Sequence, residues 1–222
     1  MTSDLTQRTV QKLSAAILAG GASRRMGTDK ALLTLAGRTL LERAIAGVEE
    51  VAAETFVVGD RTTYHRFGVP VVADGFPDAG PLGGIATALR SAAHDDVLIV
   101  ACDMPFLSRP LLRAMADLPR EYDVLVPLTH RSGSGRGGST TYETLHAIYR
   151  RTALPEIEYQ IARGELSVVA ALAGLAVREL PESWLRQYDP ELVAFTNANR
   201  PDEWQAAQAL LRDESVAVED QE

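Results

Sequence analysis

Short apolar runs alternate with amphipathic stretches through the first half of the chain. "LSAAIL" (13–18) is an apolar run stopped by glycines and predicts a buried strand. "TLLERAIAGVEEVAAE" (39–54) places Leu41, Ala44, Ile45, Val48 and Ala52 at helical spacing, and Thr39 with Glu42 has the spacing of a capping box. "TFVV" (55–58) and "VPVVAD" (69–74) predict the next two strands, and "GPLGGIATALRSAA" (80–93) a glycine turn running into a helix. "DVLIVACD" (96–103) is the clearest buried strand, apolar from Val97 to Ala101. A helix over 109–118 follows, with Ser108 as N-cap and Pro110 in its first turn, and then the strand "YDVLVPL" (122–128). Strand and helix signals that alternate in this way predict a mostly parallel α/β sheet.

The second half is less regular. "THRSGSGRGGSTTY" (129–142) reads as a flexible loop or lid, because the strand "LHAIYR" (145–150) resumes at once. Helices are expected at 154–163 and 167–173, separated by Gly164, with a strand at 176–180. A closing helix at 201–211 would put Trp204, Ala207 and Leu211 on one side. Residues 1–12 read as a polar leader and 212–222 as a loose acidic tail, leaving 13–211 as a single domain without internal repeats.

Composition narrows the function classes. The chain has 222 residues and a net charge of -8, which argues against a duplex nucleic-acid binder while leaving room for a local basic pocket around a small anion. Its one cysteine, Cys102, excludes an intramolecular disulfide. No apolar run approaches a membrane span, and the N-terminus lacks the apolar core of a secretory signal. The expectation is a cytoplasmic protein that binds neither nucleic acid nor membrane.

Against that acidic background, "LAGGASRRMGTDKALL" (18–33) concentrates glycines and cations just after the first strand. In open parallel sheets, ligands bind beyond the carboxyl ends of the strands. There Gly20 and Gly21 would let backbone amides converge on an anion, and Arg24, Arg25 and Lys30 would neutralise a triphosphate. The same stretch also fits an ordinary basic surface loop, and it matches neither the P-loop nor the dinucleotide fingerprint. Asp103, directly after the strongest strand, suits Mg²⁺, and equally suits a turn or a helix cap. Asp74 in "ADGF" is a turn signal or a ligand. Cys102 has no base beside it, His146 reads as a packed or hydrogen-bonded strand residue, and His65, His94 and His130 lack ligand spacing. No zinc site is expected. Ser23 lacks the nucleophile elbow of a serine hydrolase.

Four segments in order, "LAGGASRRMGTDKALL", "GPLGGI", "ACDMPFL" and "FTNANRPDEW", resemble the molybdenum cofactor guanylyltransferase group of the MobA-like nucleotidyltransferases. The resemblance implies a Rossmann-like three-layer α/β/α nucleotidyltransferase fold. It also implies transfer of GMP from GTP to the terminal phosphate of molybdopterin, forming the guanine dinucleotide cofactor and pyrophosphate. By matching positions, Leu18, Ala19, Gly20, Gly21, Arg24, Lys30, Gly59, Asp74, Gly83 and Asp103 would contact the nucleotide. Lys30, Asp103 and Arg25 would carry catalysis, Asp103 holding Mg²⁺, with Arg24 as the alternative to Arg25. Gly59 falls where some members have an asparagine. Asn197 and Asn199 match an N-x-N on the acceptor side.

The implied partners are GTP, the molybdopterin cofactor, and a delivery protein or molybdoenzyme in transient contact. The chain departs from the family pattern at Glu143 and Thr144, where a glutamine or histidine before proline is usual. It departs again at Glu165, Leu166 and Ser167. Two alternatives remain: a related transferase using CTP with molybdopterin or a sugar phosphate, and a non-catalytic protein that binds nucleotide or cofactor.

Overall fold

The apolar run at the start of the chain forms β1 (Ser14–Leu18), buried along its whole length at the centre of the sheet. The computed structural model describes residues 12–20, 29–131, 139–198, 203–205 and 207–209. A small hairpin follows β1, made of β2 (Thr34–Leu35) and β3 (Arg38–Thr39), and leads directly into α1 (Leu40–Val48). The expected capping box is present. The Glu42 amide donates to Thr39 Oγ1 at 3.2 Å, and the Thr39 amide donates to Glu42 Oε2 at 2.7 Å.

The chain then runs through β4 (Glu54–Val58), β5 (Val71–Val72), α2 (Gly80–Ser91), β6 (Asp96–Ala101) and α3 (Arg109–Ala116). Next come β7 (Val124–Arg131), β8 (Ser139–Tyr142), β9 (His146–Arg150), α4 (Leu154–Ala162), α5 (Val168–Ala171), β10 (Val177–Leu180) and α6 (Glu182–Leu185). The main path of the sheet is β10-β7-β9-β6-β1-β4-β5, with β8 attached to β7. β1 pairs in parallel with both β4 and β6, β4 with β5, and β10 with β7. β9 runs antiparallel to β6 and β7, and β8 antiparallel to β7. The sheet is therefore mixed and mostly parallel.

Strand alternation feeds two cores. Ala15 and Ile17 of β1, with Leu98 and Val100 of β6, pack on one face against α1, α3 and α6. Ala16 and Leu18, with Val97 and Ile99, pack on the other face against α2, α4 and α5. Helices on both faces of one sheet make the expected three layers. The strand order reverses at β1, with β4 on one side and β6 on the other, so the crevice beyond its carboxyl end is where an open sheet accepts a ligand.

Several local expectations need correction. The strand expected at 69–74 shrinks to Val71–Val72, because Gly68 turns the chain with φ +77° just before it and Asp74 begins a turn just after. The lid expected at 129–142 is the stem of an antiparallel ribbon. Leu128 to Arg131 pair with Tyr142 to Ser139, so cross-strand bonding overrides the glycine- and serine-rich composition of the segment; residues 132–138 lie outside the described residues. The second long helix of the back half, expected at 167–173, is α5 plus a tighter turn at Leu172–Gly174. Residues 203–205 and 207–209 of the closing helix are helical, and Trp204 and Ala207 pack with Leu35, Leu40 and Ala198. Leu211, the tail and residues 1–11 of the leader lie outside the described residues. No helix among the described residues is long and apolar enough to cross a membrane.

Candidate functional site

The carboxyl ends of β1, β4, β5 and β6 share one edge of the sheet, and Gly20, Gly59, Asp74 and Asp103 all follow those ends. The β1 end is tied on both sides. The Ala19 amide donates to the Val58 carbonyl at 2.9 Å, and the Cys102 amide donates to the Leu18 carbonyl at 3.2 Å. The Ala19 carbonyl accepts from the Tyr64 hydroxyl at 3.1 Å. Leu18 and Ala19 are thus spliced into the sheet. Gly20 is the first exposed residue beyond it, with open space beside its α-carbon. Gly59 lets Tyr64 close over this end: a Cβ there would stand 3.0 Å from the Tyr64 ring and 3.1 Å from the Ala19 carbonyl.

Lys30 opens a single 3₁₀ turn, Lys30–Leu32, whose N-cap is Asp29. Asp29 Oδ1 accepts from the Ala31 amide at 3.2 Å. Both of its carboxylate oxygens also lie within 3.0 Å of the Tyr64 hydroxyl, and Oδ2 is 3.2 Å from Arg61 Nε. Ala31 is buried in the core beneath. A turn capped by a carboxylate, bolted to a buried tyrosine and seated by Ala31 fixes the backbone from which Lys30 projects. Burial, then the bond to Asp29, holds the Tyr64 phenol well above its usual range, so it stays a donor.

Asp74 serves a turn. Its Oδ1 accepts from the Phe76 amide at 2.9 Å and from Thr87 Oγ1 at 2.9 Å, while Thr87 Oγ1 accepts from the Gly75 amide at 3.0 Å. Those bonds fasten the loop after β5 onto α2. Gly83 sits in the same joint and is buried. A Cβ there would fall 2.4 Å from the Phe76 carbonyl oxygen, so packing alone demands glycine.

Asp103 is half-buried just beyond β6, and its carbonyl accepts from the Ala198 amide at 3.0 Å. That bond brings Asn197 to the same place. A cavity of about 220 Å³ lies between them, lined by Asp103, Tyr142, Glu143, Thr144, Leu145 and Asn197 among others. Cys102 is buried beside it, and burial pushes its thiol far up. The Asp103 and Asp29 charges add to that rise and Lys30 opposes it. Such a thiol is no nucleophile. Asp103 follows β6, which pairs in parallel with β1 at the centre of the sheet.

His146, fully buried, packs against Phe195 with ring centroids 4.8 Å apart; neither ring nitrogen has a hydrogen-bond partner among the described residues. Burial pulls its pKa down to about 4, so the ring is neutral at pH 7. It is packed, as expected, and not hydrogen-bonded. Gly21, Arg24, Arg25 and Asn199 lie outside the described residues. At the second departure, Ser167 caps α5 by accepting from the Ala170 amide at 3.2 Å, and Leu166 is exposed.

Sequence reasoning missed Asp29, Tyr64 and Thr87. The Asp29-Lys30 dipeptide carried a usable N-cap signal. Tyr64, 35 positions away from Asp29, carried none.

No group of three or more His, Cys, Asp or Glu side chains that could hold a metal occurs among the described residues. One strand-end carboxylate still fits Mg²⁺, which is usually held by one or two carboxylates together with substrate phosphates.

Comparison with known proteins agrees with this fold. Residues 15–179 match the MobA-like NTP transferase domain. The "probable molybdenum cofactor guanylyltransferase" of Pelotomaculum thermopropionicum is 38% identical over 196 residues, covering 87% of this chain and 91% of that protein. The molybdenum cofactor guanylyltransferase of Desulfosudis oleivorans is 34% identical over 199 residues, covering 88% and 94%. Among solved structures, molybdopterin-guanine dinucleotide biosynthesis protein A from Archaeoglobus fulgidus superposes with a TM-score of 0.75 at 27% identity, covering 90% of this chain and 99% of that one.

Proposed function

The chain belongs to the MobA-like NTP transferase family, and from that premise we propose that it transfers GMP from GTP to the terminal phosphate of molybdopterin, releasing pyrophosphate. The observation that supports this reading is the place of Asp103 at the carboxyl end of β6, next to the β1 end that Gly20 follows, beside a cavity that extends to Asn197. The acceptor phosphate is already an anion and needs no general base. Catalysis then consists of alignment with the α-phosphorus and stabilisation of spreading negative charge.

In this reading the exposed Gly20 receives the triphosphate, and Gly21 and Arg24 or Arg25, which lie outside the described residues, also contact it. Lys30 neutralises the leaving pyrophosphate from its capped turn. Leu18, Ala19 and Gly59 shape the nucleotide wall through the sheet end, and Asp74 and Gly83 hold the loop and helix that border the base. Asp103 would hold Mg²⁺, which when bound neutralises charge on the triphosphate. Asn197 and Asn199 face the acceptor, and the cofactor is handed on in transient contact with a delivery protein or molybdoenzyme.

The test is pyrophosphate release. GTP with Mg²⁺ and molybdopterin should release pyrophosphate, and ATP, CTP and UTP should give far less. Equal release with CTP would move the chain to the cytidylyl branch. Nucleotide binding without any release would make it a carrier.

A further inference from the structure

Asp189 is a carboxylate in a place where burying one is costly. It is 8% exposed, in the segment that follows α6. Its amide donates to the Leu185 carbonyl at 3.0 Å, and its carbonyl accepts from the Leu192 amide at 3.0 Å. The side chain reaches forward along the chain. Oδ1 accepts from the Val193 amide at 3.1 Å, and Oδ2 accepts from the Ala194 amide at 2.8 Å. Backbone and side chain are therefore both fixed, and two N–H donors at the start of the 3₁₀ turn Val193–Phe195 compensate the charge.

What this carboxylate holds is a strained piece of backbone. Leu192 has φ +55° and ψ +33°, in the left-handed region that a branched apolar residue disfavours. Both of its peptide groups are bonded: the amide donates to the Asp189 carbonyl, and the carbonyl accepts from the Phe195 amide at 3.1 Å. Such a conformation persists only where its surroundings over-determine it. Here it sets the direction of the chain. Downstream, Phe195 packs against His146, the Ala198 amide reaches the Asp103 carbonyl, and Asn197 between them lines the cavity beside Asp103. A cap that served stability alone would need no strained leucine. Strain that aims a cavity residue points to placement.

We propose that Asp189 is the positioning residue of the acceptor side: its carboxylate holds the Leu192 turn and thereby sets Asn197 against Asp103. The proposal rests on the guanylyltransferase reading, which turns Asn197 toward molybdopterin, and adds to it the group that places that asparagine.

Asp189→Asn keeps the shape of the side chain but removes its charge and turns one of the two amide acceptors into a donor. We expect KM for molybdopterin to rise roughly fivefold to twentyfold, with KM for GTP and kcat at saturating molybdopterin within about twofold of wild type. Molybdopterin binding to the nucleotide-free protein, followed by pterin fluorescence, should weaken in step. The decisive measurement is a double-mutant cycle with Asn197→Ala. Because Asp189 acts through Asn197, Asp189→Asn in the Asn197→Ala background should change the molybdopterin KM by less than about twofold. A rise by the same factor in both backgrounds overturns the proposal and leaves Asp189 a structural cap. So does an unchanged molybdopterin KM in the single variant, or a rise shared equally by GTP. Asp189→Glu keeps the charge but moves the carboxylate out by one methylene. It should show the same split and the same dependence on Asn197, and it decides the matter if the asparagine variant does not fold. If wild type released no pyrophosphate at all, the transferase reading would fail separately, because the cycle can still be read on molybdopterin binding.

Discussion

On the β1 side of Asp103, parallel strand ends are stitched to one another by main-chain bonds, and the carboxylates there are occupied in turns: Asp29 caps the turn of Lys30, and Asp74 holds the loop before α2. On the β9 side the sheet is antiparallel, and the cavity wall holds Glu143, buried and bonded to the Thr129 hydroxyl from a strand that has left the central ladder. The two sides differ in what fixes their polar groups. The first is set by motif residues close together in sequence or at strand ends. The second is set by a ribbon whose two arms meet only through tertiary pairing. A triphosphate is common to many transferases of this architecture, and a fixed wall suits it. The acceptor is what distinguishes them, and in the proposed reading the ribbon borders its side of the site.

Asp103 stands between the two sides, so its removal should produce the largest effect. Asp103→Ala is expected to cut turnover roughly 10³-fold while leaving a cooperative unfolding transition. Lys30→Ala should cost roughly 10²-fold, with molybdopterin binding unchanged. Steady-state pyrophosphate release and the fluorescence titration check both. Turnover close to wild type in either variant would remove the shared site on which the comparison rests.

The core of this arrangement could be read from local pattern. β1, β6, α1 and α3 follow from apolar runs, a capping box and an N-cap serine, because each signal lies within a few residues of the structure it directs. Gly20, Asp74 and Asp103 could be placed because strand ends can be found and ligands gather there. The β7–β8 ribbon could not, since its Gly-Ser-Thr composition resembles a loop until the two arms pair. The Tyr64 contact with Asp29 was equally invisible, because no periodic signal links residues so far apart. Glu143 was visible only as a departure from a motif. Its burial depends on Thr129, fourteen positions earlier in the other arm.

The β9 side also carries the buried imidazole of His146, which gives the next effect in size. Its folded pKa of about 4 lies below the unfolded value of 6.5, so the unfolded chain takes up a proton that the folded chain refuses. Stability from this group is therefore complete above pH 6.5 and falls as the pH drops from 6.5 towards 4, by an amount on the order of 3 kcal/mol. His146→Leu should flatten that part of the acid limb in urea melts between pH 7 and 4. At pH 7 it should cost little, since neither ring nitrogen has a hydrogen-bond partner among the described residues to lose. An unaltered acid limb would show that other groups set acid stability.

The smallest effect should come from the lock on the β1 side. Tyr64→Phe keeps the ring that fills the space beside Gly59 and removes only the hydroxyl between Ala19 and Asp29. The Ala19 carbonyl then loses its buried donor, while Asp29 keeps Arg61 and the Ala31 amide. The cost should be about 1–2 kcal/mol in a denaturant melt, the range for one broken buried hydrogen bond. If the capped turn positions Lys30, kcat/KM for GTP should also fall, by roughly tenfold, because the lysine now projects from a less constrained backbone. Molybdopterin binding should not move. A loss of stability with no change in kcat/KM would mean that Lys30 is placed by the buried Ala31 alone; an equal loss for both substrates would show that the two sides of Asp103 are mechanically one.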